Sequence, residues 1–424
     1  MLLVGFASDQ NFASDQNSAT DGSREGVGRG IAAVLTIAEA IGPATKDYVG
    51  RSFSEAQTQG AEIIVIRLDT PGGLDGAMRD IIKLITASPV PVATYVAPTG
   101  ARAASAGTYI LYASHIAAMA PGTNLGAATP VQIGGIGMPG DDKNKDAEEG
   151  GEKPSDMTGD AMKRKMINDA SAYIRGLAEL HGRNADWAEL AVREAVSLEA
   201  SEAIKINVIN VIAKDINELL EKMDGLVVTH GGSKITLRTA GLRPVEIEPD
   251  WRNRLLSVLT NPNVAYILMM VGVYGLLLEF YNPGGLVPGV VGAICLLLAL
   301  YSFQLLPVNY AGVALIILGV GLMVAEAFQP SFGMLGIGGV VAFVIGSIIL
   351  MDTDLPDFRI YLSVVAAVAG VTILVLIAVI GLALRARSRP VVSGAEQLIG
   401  QVATVSTPLD RHFANVRVHS ELWR

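Results

Sequence analysis

Cysteine is almost missing: Cys295 is the only one in 424 residues, and it lies in an apolar run. A disulfide framework and a thiolate metal centre are therefore excluded as organising devices. Histidine is scarce too, with five residues and no HExxH pair, and no GxxxxGK[ST] phosphate loop occurs. Zinc-peptidase and P-loop chemistry are not indicated, and neither metal nor cofactor is expected. Basic clusters with interleaved aromatics are absent and the net charge is −9, which argues against nucleic acid as a partner.

Apolar sequence is plentiful. Half of the residues are hydrophobic, more than a purely soluble chain carries, and the excess is concentrated after residue 263. This predicts a disordered segment 1–26, a soluble domain 27–250, a membrane region 251–389 and a tail 390–424. Residues 1–26 contain FASDQN twice in tandem, at Phe6–Asn11 and Phe12–Asn17. Met1–Ala7 is too short, and lacks the basic start, for a signal peptide. Further on, apolar strands at 31–37, 62–68, 91–96, 115–119 and 206–212 alternate with helical stretches at 44–59, 75–87, 104–113, 161–181, 184–194 and 215–223. Such alternation predicts a parallel sheet covered by helices. Residues 132–160, rich in Gly, Asp, Glu and Lys, read as a mobile loop, and Val227–Glu248 as short strands leading toward the membrane.

Two loops carry chemistry. The strand Glu62–Leu68 breaks into Asp69-Thr70-Pro71-Gly72-Gly73, a sharp turn whose backbone N–H groups can face outward. The next strand leads into Gly100–Tyr109, GARAASAGTY, where Ser105 stands among alanines and glycines. Small neighbours allow a substrate backbone to approach, and a helix starting there aims free N–H groups and its positive dipole end at whatever Ser105 attacks. The bland alternative is tight helix packing beside an ordinary Pro-Gly-Gly turn.

DTPGG followed by GARAASAGTYI resembles the ClpP/crotonase-type serine peptidases, and more closely the membrane-bound ClpP-class proteases of the NfeD family. ASPVPVATYVAP, SHIAAMAPGTNLGAATPV and HGRNADWAELAVREAVSLEA carry the same resemblance, which extends from about Ile31 to the last residue. It implies a ClpP-like α/β fold and serine endopeptidase activity, with Ser105 as nucleophile. It also implies an oxyanion hole from the backbone N–H groups of Gly73 and Ala106, and a substrate groove at Gly72 and Gly107. The partners it implies are a peptide substrate and a stomatin- or prohibitin-like membrane protein, with cleavage in apolar segments.

A serine hydroxyl needs a base. No histidine lies between His115 and His181. His115 falls in a strand-like segment, and His181, before Gly182, suits a helix-end capping role. A lysine kept neutral by apolar surroundings is the alternative. Lys163 shares a helical stripe with Ile167, Ala170, Ile174 and Leu177, and Lys165 one with Met162, Met166, Asp169 and Tyr173, so periodicity does not choose between them. The family pattern places its lysine shortly before an Asn-Asp-like pair and an AYI segment, and this implies Lys165.

Five apolar segments follow, near 264–281, 286–306, 310–328, 332–351 and 360–384, each close to the length of a bilayer crossing. Arg385, Arg387 and Arg389 after the last one predict a cytoplasmic C-terminus, and an odd number of crossings then puts the peptidase outside a bacterial-type cell membrane. EFYNP at Glu279–Pro283 recurs as EAFQP at Glu326–Pro330, with Gly292 opposite Gly339 at the same offset of 47. The many glycines permit close helix packing, which fits a homo-oligomer in contact with lipid. The tail, with VATVS, ANVRVHSELW and a Thr407-Pro408 turn between them, resembles the start of the OB-like barrel that ends many NfeD proteins. Two other readings stand beside the peptidase: a non-catalytic scaffold for stomatin-type assemblies, and acyl-CoA chemistry on a crotonase fold.

Overall fold

Buried apolar runs bounded by Gly and Pro set the first half of the chain. In the computed structural model, residues 30–131, 156–387 and 400–423 are described, with short breaks at 282–283, 330, 332, 352, 354–357, 401, 409–413 and 419–420. The tandem repeat and residues 132–155 of the expected loop lie outside them. The chain runs β1 (Ile31–Ile37), α1 (Pro43–Thr58), β2 (Ala61–Leu68), α2 (Asp75–Ala87), β3 (Val92–Val96), β4 (Arg102–Ala104), α3 (Ala106–Ala113), β5 (Ile116–Met119) and β6 (Asn124–Gly126). It continues through α4 (Asp156–Leu180), α5 (Ala185–Arg193), β7 (Ser197–Glu199), α6 (Ala200–Lys205), β8 (Val211–Ile212) and α7 (Ile216–Met223). Three short strands follow: β9 (Val227–His230), β10 (Ser233–Thr236) and β11 (Arg243–Glu246).

Six of these strands form one sheet in the order β11-β1-β2-β3-β5-β8, and every neighbouring pair is parallel. Parallel strands are covered on both faces and therefore read as continuous apolar runs; all five residues of β3 are buried. One face packs Val34, Ile63, Val65, Tyr95 and Ile116 against Leu219, Leu220 and Met223 of α7. A second sheet, β4-β6-β7, pairs β4 with β6 in parallel and β6 with β7 antiparallel.

Four expectations change. The helix foreseen from residue 104 begins at Ala106, because Arg102–Ala104 is committed to β4 and Ser105 has a non-helical backbone. The strand foreseen over 206–212 shrinks to Val211–Ile212: Asn207 takes φ 58, and the Val208 and Ile209 N–H groups turn back to the Ala203 carbonyl. Residues 156–160, placed in the loop, open α4. Strand β11 does not lead out of the domain; it pairs with β1 as the edge of the main sheet.

The remaining elements are α8 (Trp251–Leu259), α9 (Pro262–Tyr281), α10 (Val287–Leu305), α11 (Tyr310–Phe328), α12 (Met334–Ile349), α13 (Leu362–Arg387), β12 (Thr404–Pro408), β13 (Ala414–Val418) and β14 (Glu421–Trp423). Helices α9 to α13 fall on the five apolar segments. Pro262–Phe280 and Val287–Leu305 are long and apolar enough to cross a bilayer, while the apolar stretches of the other three are shorter. α12, at roughly 1.5 Å per residue, is about 24 Å long, short of a hydrocarbon core of roughly 30 Å. The tail strands form a three-stranded antiparallel sheet in the order β12-β13-β14. Thr407 and Pro408 are not a turn but the end of β12, opposite Asn415 and Ala414.

The repeat is structural. A Cβ on Gly272 would meet Leu296 Cβ at 2.9 Å and Gly292 O at 3.0 Å; 47 residues on, Gly319 would meet Phe343 Cβ at 2.9 Å and Gly339 O at 2.6 Å. Glu279 accepts from the Gly284, Leu286 and Gly289 N–H groups, and Glu326 from those of Ser331, Gly333, Leu335 and Gly336. Each glutamate satisfies the open N–H groups at the start of the next helix. Helices α9–α10 and α11–α12 are thus two copies of one hairpin, and the acidic residues close its turns.

The described residues divide into two compact units. The first takes the chain to Ile41, Lys46–Thr129 and Asp169–Glu248; the second takes Gly42–Thr45, Pro130–Asn168 and Pro249–Arg424.

Candidate active site

Strands β2 and β3 are neighbours in register from Ile64↔Val92 to Leu68↔Val96, so the loops leaving their carboxyl ends emerge side by side. In open parallel sheets this edge is where ligands bind. The two loops are tied through Thr70, whose N–H donates to Arg102 O at 2.8 Å and whose carbonyl accepts from Ala104 N–H at 3.1 Å. The Thr70 hydroxyl closes the turn on itself, accepting from Gly72 N–H and donating to Gly72 O.

Ser105 sits at the strand-to-helix junction between β4 and α3 with φ 50 and ψ −114. Only glycine adopts such a backbone without strain, and a serine there costs of order 1–3 kcal/mol. Its neighbours hold it in place. Its N–H donates to Gly126 O at 3.0 Å, and its carbonyl accepts from Thr108 N–H at 2.9 Å. The fully buried Thr108 hydroxyl lies 2.8 Å from Ala103 O and 3.0 Å from Gly126 O, and accepts from Gly126 N–H at 3.1 Å. A Cβ on Gly126 would meet Val196 O at 2.3 Å. Thr108 and Gly126 were not singled out by sequence reasoning; both stand in quoted motifs, but nothing in those motifs says that they brace the serine.

Gly72 has φ +123, and a Cβ there would sit 2.8 Å from Ser105 Cβ and 3.2 Å from its Oγ. A Cβ on Gly73 would meet Ile41 O at 2.1 Å, because Ile41 N–H donates to Gly72 O and Leu74 N–H to Ile41 O. The fold itself thus requires these glycines, apart from any substrate. Gly107, expected to line the groove, is buried; a Cβ there would meet Thr70 Cγ2 at 2.7 Å, so its smallness lets α3 settle on the DTPGG loop. The N–H groups of Gly73, Ala106 and Gly107 donate to nothing among the described residues. Those of Ala106 and Gly107 open α3, where the helix dipole favours negative charge.

The opposite end of α3 is saturated. Arg183, buried at 5% exposure, donates to the carbonyls of Leu111, Tyr112, Ser114 and His115 and to the Asn210 side chain. His181 Nε2 lies 3.0 Å from Ala113 O, so it caps α3 and not its own helix. His115 Nδ1 accepts from Val92 N–H, which fixes a neutral ring. Burial, then nearby His230 and Arg183, push the His115 pKa down to about 4; burial, then Arg183 and His115, push His181 down to about 4. His115 is structural.

Sequence reasoning also missed a cluster around Arg79. Its guanidinium pairs with Asp75 at 2.9 Å and Asp169 at 2.6 Å and lies 4.4 Å from the Tyr173 ring centroid. Tyr173 stacks on Tyr109, whose hydroxyl donates to Ala128 O. α2, α3 and α4 are thereby fastened together at Asp169, one helical turn after Lys165. Lys163 and Lys165 are at exposed positions of α4, in the half of the helix that belongs to the second unit. The apolar surroundings expected for a neutral lysine are not supplied by the described residues, since Met162, Lys163 and Arg164 beside Lys165 are exposed as well.

Residues 263–381 match the NfeD integral membrane domain, and residues 32–227 match the N-terminal domain of NfeD1b. The chain is 36% identical over 407 residues to the membrane-bound protease PH1510 of Pyrococcus horikoshii, covering 93% of this chain and 87% of that one. It is 30% identical over 354 residues to the membrane protein NfeD1b of Bacillus subtilis, covering 82% and 73%. Among solved structures it is similar to 1510-N, a membrane-bound stomatin-specific protease, as a lysine-to-alanine variant in complex with a substrate peptide. That likeness has a TM-score of 0.45 at 37% identity and covers 55% of this chain and 98% of that one.

Proposed function

The chain belongs to the NfeD family, and from that premise we propose a membrane-anchored serine endopeptidase in which Ser105 is the nucleophile and Lys165 the base. One observation carries the reading: a serine held at φ 50 at the mouth of α3, with open N–H groups on both sides of it. Strain of this kind persists where the surroundings over-determine it, and such places cluster at active sites. A folding role alone gives no reason for it.

The chemistry follows from these parts. Ser105 Oγ attacks the carbonyl carbon of the scissile peptide as Lys165 takes its proton. The oxyanion is received by the N–H groups of Gly73 and Ala106, while the dipole of α3 supports the negative charge. Lys165 returns the proton to the leaving amine, and water then hydrolyses the acyl-enzyme. A lysine is a base only when desolvated, and Lys165 is exposed, so the bound substrate covers it and completes the site. Gly72 offers the substrate strand a surface without a side chain beside Ser105. Arg79 pairs with Asp169 and lies over Tyr173, fixing that part of α4 against α2.

Membership of a family that includes a membrane-bound protease, with the stomatin-specific 1510-N among its relatives, supports a stomatin-like membrane partner as substrate; cleavage in one of its apolar segments is part of the same proposal. The division into a peptidase domain, a multi-pass membrane domain and an OB-like tail belongs to the same proposal, as does a peptidase facing away from the cytoplasm. The exposure of Lys165 favours a second reading, a scaffold without catalysis. The strained Ser105 weighs against it.

Full-length protein in detergent micelles, incubated with casein, separates the two. Cleavage by the wild type that Ser105→Ala and Lys165→Ala both abolish supports the dyad. Equal cleavage by all three sinks the Ser105 assignment, and loss in Ser105→Ala with survival in Lys165→Ala moves the base to Lys163 or another group.

A further inference from the structure

Among the described residues, five other than glycine have positive φ, and hydrogen bonds link three of them: Ser105 (φ 50), Ala127 (φ 48) and Ala195 (φ 54). The link is a single peptide. Its carbonyl is that of Gly126, which accepts from Ser105 N–H at 3.0 Å and lies 3.0 Å from the Thr108 hydroxyl. Its N–H is that of Ala127, which donates to Val196 O at 2.9 Å. A trans peptide is planar with its N–H and C=O opposed, so Ser105 and Val196 grip this one from opposite sides. Ala195, directly before Val196, turns the chain after α5 so that the Val196 carbonyl faces Ala127. The flanks are pinned as well. Gly126 N–H donates to the Thr108 hydroxyl, Ala128 N–H to Ala191 O, and Ala128 O accepts from the Tyr109 hydroxyl.

A half-turn of this peptide would carry Ala127 from positive φ into the extended range and relieve its strain. The same half-turn would point Gly126 O away from Ser105 N–H, and Ala127 N–H away from Val196. Ala127 is exposed, so its side chain makes no core contact that enforces the strained form. The backbone bonds alone enforce it. We infer that Ala127 is a positioning residue: the peptide it shares with Gly126 must stand in its strained orientation for Ser105 to keep the backbone from which it attacks. The inference rests on the proposed role of Ser105 as nucleophile. Glycine adopts this φ freely, alanine under strain, and valine, branched at Cβ, least of all. Residue 127 thus sets the balance between two orientations of one peptide, and with it the fraction of molecules whose serine is in place.

The test measures casein cleavage by full-length protein in detergent micelles, as wild type, Ala127→Gly, Ala127→Val and Ser105→Ala. Ala127→Gly should keep kcat within about twofold of wild type and melt no earlier. Ala127→Val should lower kcat about fivefold or more, with KM within about twofold, on protein that still folds. A role in folding alone would move the melting temperature and leave kcat per folded molecule unchanged. Wild-type kcat in folded Ala127→Val, beside an inert Ser105→Ala, would overturn this inference and leave the nucleophile standing. Wild-type cleavage by Ser105→Ala would instead overturn the reading beneath it. Should Ala127→Val not fold, Ala195→Val, at another exposed position, withdraws Val196 O from the same peptide. It should lower kcat in the same way, and an unchanged kcat there would overturn the inference.

Discussion

The two ends of α3 are built to opposite specifications. At its C-terminal end, Arg183 and His181 occupy the carbonyls from Leu111 to His115. At its N-terminal end, Ser105 is strained and the Ala106 and Gly107 N–H groups are left open. A short helix with both ends unsatisfied would fray. Closing one end with a buried cation offsets the open N–H groups at the other, the end at which we propose the oxyanion is held. Eight residues thus carry one saturated end and one open end.

The largest expected effect is at the open end. Ser105→Ala should lower peptidase activity by about 10³-fold or more, while Ser105→Gly should do the same and raise stability by about 1 kcal/mol through relief of the positive φ. Kinetics and thermal melts on the two variants measure both. If Ser105→Gly is less stable than wild type, the strain is not real. Next comes Gly72→Ala: a methyl group 2.8 Å from Ser105 Cβ must displace the serine. A loss of about 10²-fold in kcat is expected, since displacements near 1 Å have that effect.

At the closed end, Arg183→Met should cost about 2–4 kcal/mol by orphaning buried carbonyls. A denaturant midpoint measures it, and surviving enzyme should keep the wild-type KM. The smallest effect is on pH dependence. His115 and His181 have folded pKa values depressed to about 4 from an ordinary 6.5, so the unfolded chain binds more protons between those values. Their stabilisation is present above pH 6.5 and is lost as pH falls toward 4. Arg183, His181 and His230 face His115, and His115→Gln removes one titration while keeping an acceptor for Val92 N–H. Its melting temperature should therefore fall less between pH 6.5 and 4 than that of the wild type.

Much of this contrast was legible in the residues. Continuous apolar runs gave the parallel sheet, and Pro-Gly-Gly with a small-residue serine loop marked the sheet edge where the two loops meet. What escaped was the reason for each small residue. Gly73 stood out for its backbone N–H alone, yet the backbone of Ile41, distant in sequence, is what forbids a Cβ there. Thr108, Gly126 and Arg183 act through pairings that span long stretches of chain, which periodicity does not encode. His181 was read against its own helix because sequence shows neighbours along the chain and not those across it. The hairpin repeat was visible as spacing, while the role of Glu279 and Glu326 in closing turns needed the backbone geometry.

The most direct measurement is the site of labelling by a fluorophosphonate probe on the full-length chain in lipid nanodiscs, read by peptide mapping. The account predicts one adduct, on Ser105, absent from Ser105→Ala and strongly reduced in Lys165→Ala. Labelling at another serine, or none on protein whose melt is native, would contradict it.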